Sequence, residues 1–308
     1  MKVSRVMSQT DLGMKCGFAT LFGWTNVGKS TLLNRILGTK LAITTPVIQT
    51  TRNRLMGICT GDGYQLAIYD TPGIHHPHGK LSDYMMRTAW SALEGADVLV
   101  WLTFPDIPAE KQFKIFKDRF DSLQSPLVIA INRIDTVRKD DLLPLIQNLD
   151  ALARPKAIVP IAALTGENVN HLVDVVVSLL PEGDMLFPSD QLTDRPTRFF
   201  VSEIIREQIM SRTFQELPHV VMVEIEQYKE FADRNFSDIS ATIYVEKDSQ
   251  KAILIGKHGS LLKEIGSKAR LDIEAFTGHH VNLQLWVRVK KDWRNDPRYL
   301  ESFGFREG

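Results

Sequence analysis

Cysteine is nearly missing from this chain, with two residues, Cys16 and Cys59, in 308. They stand far apart, without a Cys-x-x-Cys pair or a Cys/His ligand spacing, which argues against a zinc site and for a reducing compartment. Net charge is missing too, because 37 Lys and Arg balance 37 Asp and Glu. No global positive field draws nucleic acid, so any such contact has to come from a local basic patch. No apolar run approaches the roughly 20 residues that span a bilayer, and Met1-Lys2-Val3-Ser4-Arg5-Val6-Met7 lacks the apolar core of a signal peptide. Internal repeats and low-complexity tracts are absent. Residues 1–15 carry no clear pattern and are expected to form a short N-terminal extension.

What is present is enough apolar material, 44% of residues, for two domains with separate cores. From residue 16 to about 180, strand-like runs alternate with helical patterns: Phe18–Phe22, Gln65–Tyr69, Asp97–Leu102, Leu127–Ile131 and Ala157–Ile161. Runs apolar at successive positions suit strands covered on both faces, so this part is expected to be a doubly wound α/β domain with a mostly parallel sheet. Residues 181–197 concentrate Pro, Gly and Asp and are expected to form a linker. Residues 198–308 begin with a helical stretch, Phe199–Met210, followed by strands expected at His219–Glu226, Ser240–Glu246 and Val281–Lys290. That pattern predicts a smaller α+β domain.

The segment Gly23-Trp24-Thr25-Asn26-Val27-Gly28-Lys29-Ser30, continued by Thr31, follows the first strand. Gly-x-x-x-x-Gly-Lys-Ser specifies a phosphate cradle, in which the glycines let successive backbone N–H groups and a helix N-terminus point at phosphate oxygens. Lys29 would reach the β- and γ-phosphates and Ser30 would bind Mg²⁺. Asp70-Thr71-Pro72-Gly73 ends the next apolar strand, where Asp70 can hold a Mg²⁺-bound water and Gly73 can offer its N–H to a γ-phosphate. In Gln49-Thr50-Thr51-Arg52, Thr51 is the expected switch threonine that completes the Mg²⁺ shell when a γ-phosphate is present.

Asn132-Arg133-Ile134-Asp135 resembles the Asn-Lys-x-Asp element of GTPases. There the Asp135 carboxylate would accept from the guanine N1–H and exocyclic amine, a donor pair that adenine lacks, while Asn132 braces the phosphate loop. Arg133 replaces a Lys whose stem covers the base, and Arg can stack on a purine as well. Ala162-Ala163-Leu164 resembles the Ser-Ala-Lys/Glu loop that contacts the guanine oxygen through a backbone N–H, with Ala162 in place of Ser.

In the C-terminal part, Gly256-Lys257-His258-Gly259 is a Gly-x-x-Gly loop between apolar helical segments, the arrangement by which KH modules admit a sugar-phosphate backbone. Lys251, Lys257, Lys263, Lys268 and Arg270 cluster around it, and Arg288, Lys290, Lys291, Arg294 and Arg298 follow the last strand. Such a patch would supply the phosphate contacts that the neutral whole chain denies. Trp286 and Trp293 are candidates either for base stacking or for the core.

Together these elements, with Asp70-Thr71-Pro72-Gly73-Ile74-His75, Leu180-Pro181-Glu182-Gly183-Asp184 and Glu203-Ile204-Ile205-Arg206-Glu207, resemble the Era GTPase family over nearly everything from Cys16 to Phe305. The resemblance implies a P-loop GTPase domain followed by a KH domain, GTP/GDP and Mg²⁺ as cofactors, and binding of 16S-type rRNA near its 3′ end during assembly of the 30S subunit. It further implies a cytoplasmic monomer with peripheral association at the inner face of the cell membrane. Ile74 stands where Ras-like enzymes place a water-orienting Gln, so hydrolysis should be slow without help. Asn26 matches the phosphate-loop Asn that holds an activating K⁺ in related GTPases. Thr25 and Trp24 replace the usual Pro and Arg. Two other readings stay open on sequence alone: a guanine-nucleotide-dependent RNA scaffold that turns over very slowly or not at all, and an ATP-dependent P-loop kinase or ATPase.

Overall fold

The computed structural model describes residues 13–45, 47, 50–114, 116, 117 and 123–305. The N-terminal extension up to residue 12, and Gln49 of the switch segment, lie outside the described residues.

Six strands, β1 (Lys15–Gly23), β2 (Leu55–Gly61), β3 (Tyr64–Asp70), β4 (Val98–Thr103), β5 (Leu127–Ile131) and β6 (Ala157–Pro160), form one sheet in the order β2-β3-β1-β4-β5-β6. All neighbours are parallel except the β2–β3 hairpin. Successive residues of β4 serve opposite faces. Val98, Val100 and Leu102 join a core with Leu32 and Leu33 of α1 (Lys29–Leu37), while Leu99 and Trp101 join one with Ala89 and Leu93 of α2 (Lys80–Glu94). That is why β4 is apolar at every position. Further helices described in these layers are α3 (Ala109–Lys114), α4 (Lys139–Ala153) and α5 (Val169–Leu179). Parallel strands place their C-terminal ends on one rim, where the loops after β1, β3, β5 and β6 meet.

Strand β2 is absent from the sequence reading. Its signal is Asp62-Gly63, the two-residue turn to β3, with Gly63 at φ 74°. The segment at 181–197 is laid along the sheet instead of hanging free: Ile58 donates to Leu192, Thr193 Oγ1 donates to Met56, and Leu186 and Phe187 donate to Gln65 Oε1. It thereby covers the open edge at β2.

The C-terminal part comprises α6 (Thr197–Met210), α7 (Leu217–Val220), β7 (Met222–Phe231), β8 (Phe236–Val245), α8 (Asp248–Ile255), α9 (Ser260–Thr277), β9 (His280–Val289) and α10 (Pro297–Ser302). Strand β8 pairs antiparallel with β7 and parallel with β9. Ile265, Ala269 and Ile273, one face of α9, pack with Val201, Ile205 and Ile209 of α6 and with Ile239, Ala241 and Ile243 of β8. The strand expected from His219 starts at Met222 instead, because Pro218 near the start of α7 favours a helical turn there. Trp293 is fully buried and donates to the Val220 carbonyl oxygen at 3.0 Å, a core residue and not a base-stacking surface. Trp286 remains 44% exposed.

Candidate nucleotide site and nucleic-acid interface

At the C-terminal rim of the large sheet lies a cavity of about 720 Å³ lined by Thr25, Asn26, Gly28, Lys29, Ser30, Thr31, Thr51, Gly73, Asn132, Arg133, Asp135 and Leu164. Five more predicted residues, Gly23, Val27, Asp70, Ala162 and Ala163, are buried and do not line it. Thr50, the neighbour of the expected Thr51, lines it too, and Ile43, Thr44, Thr45 and Thr136 do so without having been foreseen. The density of threonine between 44 and 51 was the available signal.

The phosphate loop is shaped by contacts that leave no room for side chains. Gly28 has φ 102°, and a Cβ there would overlap the Asn132 amide nitrogen. Asn132 Nδ2 donates to the Val27 carbonyl oxygen at 2.8 Å, so the brace expected from Asn132 is present. Lys29 is buried, and its Nζ donates to the carbonyl oxygens of Gly23 at 3.2 Å and Trp24 at 2.8 Å. Burial pulls its ammonium down from 10.5 to about 8, opposed by the charge of Asp70.

The three residues expected around Mg²⁺ are in mutual contact. Ser30 Oγ donates to Asp70 Oδ2 at 2.6 Å, Thr51 Oγ1 donates to the same oxygen at 3.2 Å, and the two hydroxyls are 2.9 Å apart. Asp70 is fully buried and burial raises its pKa, against the charge of Lys29 and the bonds from Ser30 and Thr51. Its Oδ1 is buried without a hydrogen-bond partner. A buried carboxylate oxygen left unmatched beside two hydroxyls is a donor set that suits a hard divalent cation.

At the other end Asp135 is exposed at the cavity. Arg133 takes up φ 64°, lies over the Phe104 ring at 5.0 Å and donates to the carbonyl oxygen of Asn26. Its guanidinium is thus bound to the phosphate loop as well as flanking the base region. The Ala163 N–H, expected to serve the base, donates to Asn132 Oδ1 at 2.9 Å. A base contact from it has to share or displace that bond. Leu164 is 73% exposed at the cavity, with its carbonyl oxygen accepting from Arg35. Ile74 is buried in the core, and its N–H donates to the Gly23 carbonyl oxygen at 3.0 Å.

The segment around Thr51 is tied to the C-terminal part. Arg206 of α6, 2% exposed, donates to the carbonyl oxygen of Thr50 and pairs with Glu203 at 2.6 Å. Arg52, 6% exposed, donates to the carbonyl oxygens of Val221 at 2.6 Å and His219 at 2.9 Å. Glu207 pairs with Lys40 at 2.7 Å. The helix after Gly73 is engaged too, since Leu81 and Met85 of α2 pack with Trp293, Leu300 and Phe305. Glu203 to Glu207 is singled out in the sequence, but nothing there pairs it or Val221 with Thr50 and Arg52, which are more than 150 residues away.

In the small domain, Gly256 (φ 73°) and Gly259 (φ 78°) turn the chain between α8 and α9, with His258 at φ 52° between them. Lys257, His258 and Lys263 are exposed at this loop and the first turn of α9. Lys268 and Arg270 lie farther along α9 and face acids, at 3.9 Å from Asp272 and 3.0 Å from Glu274. Two basic residues after β9 are engaged as well: Lys290 sits over the rings of Tyr244, Tyr299 and Phe303, and Arg294 pairs with Glu246 at 2.8 Å. Among the described residues, no helix is long and apolar enough to cross a membrane.

Two family models match the two parts: one described as a 50S ribosome-binding GTPase over residues 18–133, and a KH domain over residues 216–294. Among solved structures, the chain is similar to Aquifex aeolicus Era bound to GDP and AlF4⁻, with 38% identity and a TM-score of 0.91, covering 96% of this chain and 100% of that one. It is equally similar to Era in complex with MgGDPNP and nucleotides 1506–1542 of 16S ribosomal RNA, at 38% identity, TM-score 0.92 and the same coverage. Identity of 38% over 96% of this chain and the whole of both Era chains, with a GTPase model and a KH model matching its two parts, places this chain in the Era family of GTPases.

Proposed function

We propose that this chain is a GTP-hydrolysing switch that binds the 3′ end of small-subunit rRNA and assists 30S assembly, with RNA affinity set by the bound nucleotide. The observation that carries the reading is the placement of Thr51: its hydroxyl meets Ser30 and Asp70, and both adjoining residues are held by the C-terminal part. Loop N–H groups and Lys29 bind the phosphates, and Asp135 accepts from the guanine edge while Asn132 keeps the loop in register. Ser30, Thr51 and Asp70 would hold Mg²⁺, which supplies charge stabilisation on the phosphoryl oxygens. Gly73 would orient the γ-phosphate.

Intrinsic turnover is slow on this reading, because the buried Ile74 cannot order water, and K⁺ held near Asn26 supplies the missing charge. Hydrolysis in K⁺ should exceed that in Na⁺, and Asn26→Ala should remove the difference; equal rates in both salts remove the K⁺ role. RNA contacts are proposed at Gly256, Lys257, His258, Gly259 and Lys263, with weaker ones at Lys268 and Arg270. The reading includes a cytoplasmic monomer in peripheral contact with the inner face of the cell membrane, checked by sedimentation with anionic vesicles.

The deciding experiment measures binding of a 16S rRNA 3′-end fragment to GTP-analogue-bound, GDP-bound and nucleotide-free protein. Different affinities in the three states support the switch, and identical affinities remove it.

A further inference from the structure

Among the described residues two arginines are buried, Arg52 and Arg206, and both attach to the peptide segment that carries Thr51. Withdrawing a guanidinium from water is costly unless it is paired and hydrogen-bonded, and only Glu203 supplies a carboxylate here, at 2.6 Å from Arg206. Their other hydrogen-bond partners are backbone carbonyl oxygens and, for Arg206, the Met210 sulfur at 3.4 Å. Arg206 reaches from α6 to the carbonyl of Thr50, one residue before Thr51. Arg52, one residue after, reaches in the opposite sense to the carbonyls of His219 and Val221 at the end of α7, where the helix leaves its last acceptors unsatisfied. A loop held on both sides of one residue has little freedom at that residue. Between the two anchors the Thr51 hydroxyl lies 2.9 Å from Ser30 Oγ and 3.2 Å from Asp70 Oδ2.

We infer that Arg206 and Arg52 are positioning residues for Thr51: the C-terminal part holds the switch threonine in place through them, and so sets the GTP-bound state and the rate of hydrolysis. Neither touches the cavity that would take the nucleotide. The inference rests on the proposed role of Thr51 in the triphosphate state. It goes further in assigning the control of that threonine to two residues that a nucleotide never meets, one of them in α6.

An arginine that only pins two parts of a protein together affects both nucleotide states alike. One that acts through Thr51 affects only the state in which Thr51 is used. The test therefore compares Arg206→Met, Arg206→Lys, Arg52→Lys, Thr51→Ala and the double variant Thr51→Ala/Arg206→Met in the full chain. GDP affinity, GTP-analogue affinity in Mg²⁺ and single-turnover GTP hydrolysis are measured for each. Arg206→Met should lower hydrolysis about ten- to a hundredfold, the scale of a misplaced catalytic contact. It should weaken GTP-analogue binding and leave GDP affinity within about twofold. Arg206→Lys, which keeps a donor for the Thr50 carbonyl, should recover part of the loss, and Arg52→Lys should show the same pattern more mildly. The double variant should be no worse than Thr51→Ala alone, because both changes remove one function.

Additive losses in the double variant, or equal losses of GDP and GTP-analogue affinity, overturn the inference. If Arg206→Met does not fold, the lysine variants and the GDP control carry the same decision. Wild-type protein without GTP hydrolysis would remove the underlying reading. Wild-type hydrolysis with unchanged variants would remove only this one.

Discussion

The side-chain amide of Asn132 donates to the carbonyl oxygen of Val27 at 2.8 Å across 105 residues of sequence, and its own oxygen accepts from Ala163 at 2.9 Å. One buried side chain thus ties the phosphate loop to the loop after β6. Asn132→Ala strands both backbone partners and should cost about 2–4 kcal/mol of stability, taking about 1–2 kcal/mol for each bond lost with a buried partner. GDP affinity should fall by at least about tenfold as the loop relaxes. Chemical denaturation and nucleotide titration check the two effects; unchanged GDP affinity would separate the brace from the site.

Asp135 is the residue on which the base preference turns. A carboxylate accepts from both guanine donors, whereas an amide accepts from N1–H and donates to a carbonyl at C2, which xanthine has and guanine lacks. Asp135→Asn should lose about a hundredfold or more in GTP affinity and gain XTP binding, since an unmatched polar edge is strongly rejected. Competition of labelled GTP by GTP, XTP and ATP reads this directly. Wild-type protein displaced equally by ATP and GTP would return the P-loop kinase or ATPase reading.

Lys29 gives a pH signature. Burial lowers its pKa from 10.5 to about 8, so between those values the folded chain has released a proton that the unfolded chain retains. In that window this group alone makes stability rise with pH. A polyphosphate placed against Nζ reverses the shift, so GDP binding at pH 9 without divalent metal should take up a proton. Calorimetry in buffers of different ionisation enthalpy measures it. The uptake should vanish in Lys29→Met; the same uptake in that variant would assign it elsewhere.

RNA binding should depend unequally on the basic residues of α9. Lys257 and Lys263 are exposed at the Gly-x-x-Gly end, whereas Lys268 and Arg270 face Asp272 and Glu274. Each of Lys257→Ala and Lys263→Ala should reduce the slope of log affinity against log salt by about 0.7, the value for one phosphate contact on a single strand. Lys268→Ala and Arg270→Ala should change it less. Fluorescence anisotropy over a salt series checks this, and equal slopes for all four would restore the broader patch.

How far the site was legible depended on whether its signal was local. Gly23 to Ser30 and Asp70 to Gly73 are short runs whose backbone demands appear in the residues themselves, and they meet as expected at the sheet rim. The β4 run foretold its strand because both of its faces are covered. Hairpin β2–β3 escaped notice although Asp62-Gly63 announces it, because β2 itself, Leu-Met-Gly-Ile-Cys-Thr-Gly, has little alternation. Arg206 was illegible in kind. On its own helix it looks like half of an ion pair with Glu203, and its carbonyl partner is 156 residues away. The aromatic partners of Lys290 were equally hidden, since Tyr244 and Tyr299 reach it only through the fold.

Ile74 bears on how such a switch evolves. Its side chain is 1% exposed within a core that includes Phe22, Ala89 and Leu93, and its backbone bridges to Trp24. Ile74→Gln would not deliver a water-ordering amide to the cavity but would bury one among hydrocarbons, at a cost of several kcal/mol. The substitution that would look like a shortcut to fast hydrolysis is therefore a packing defect. Changes in hydrolysis rate have to come from positions other than 74, such as the buried arginines that hold Thr51.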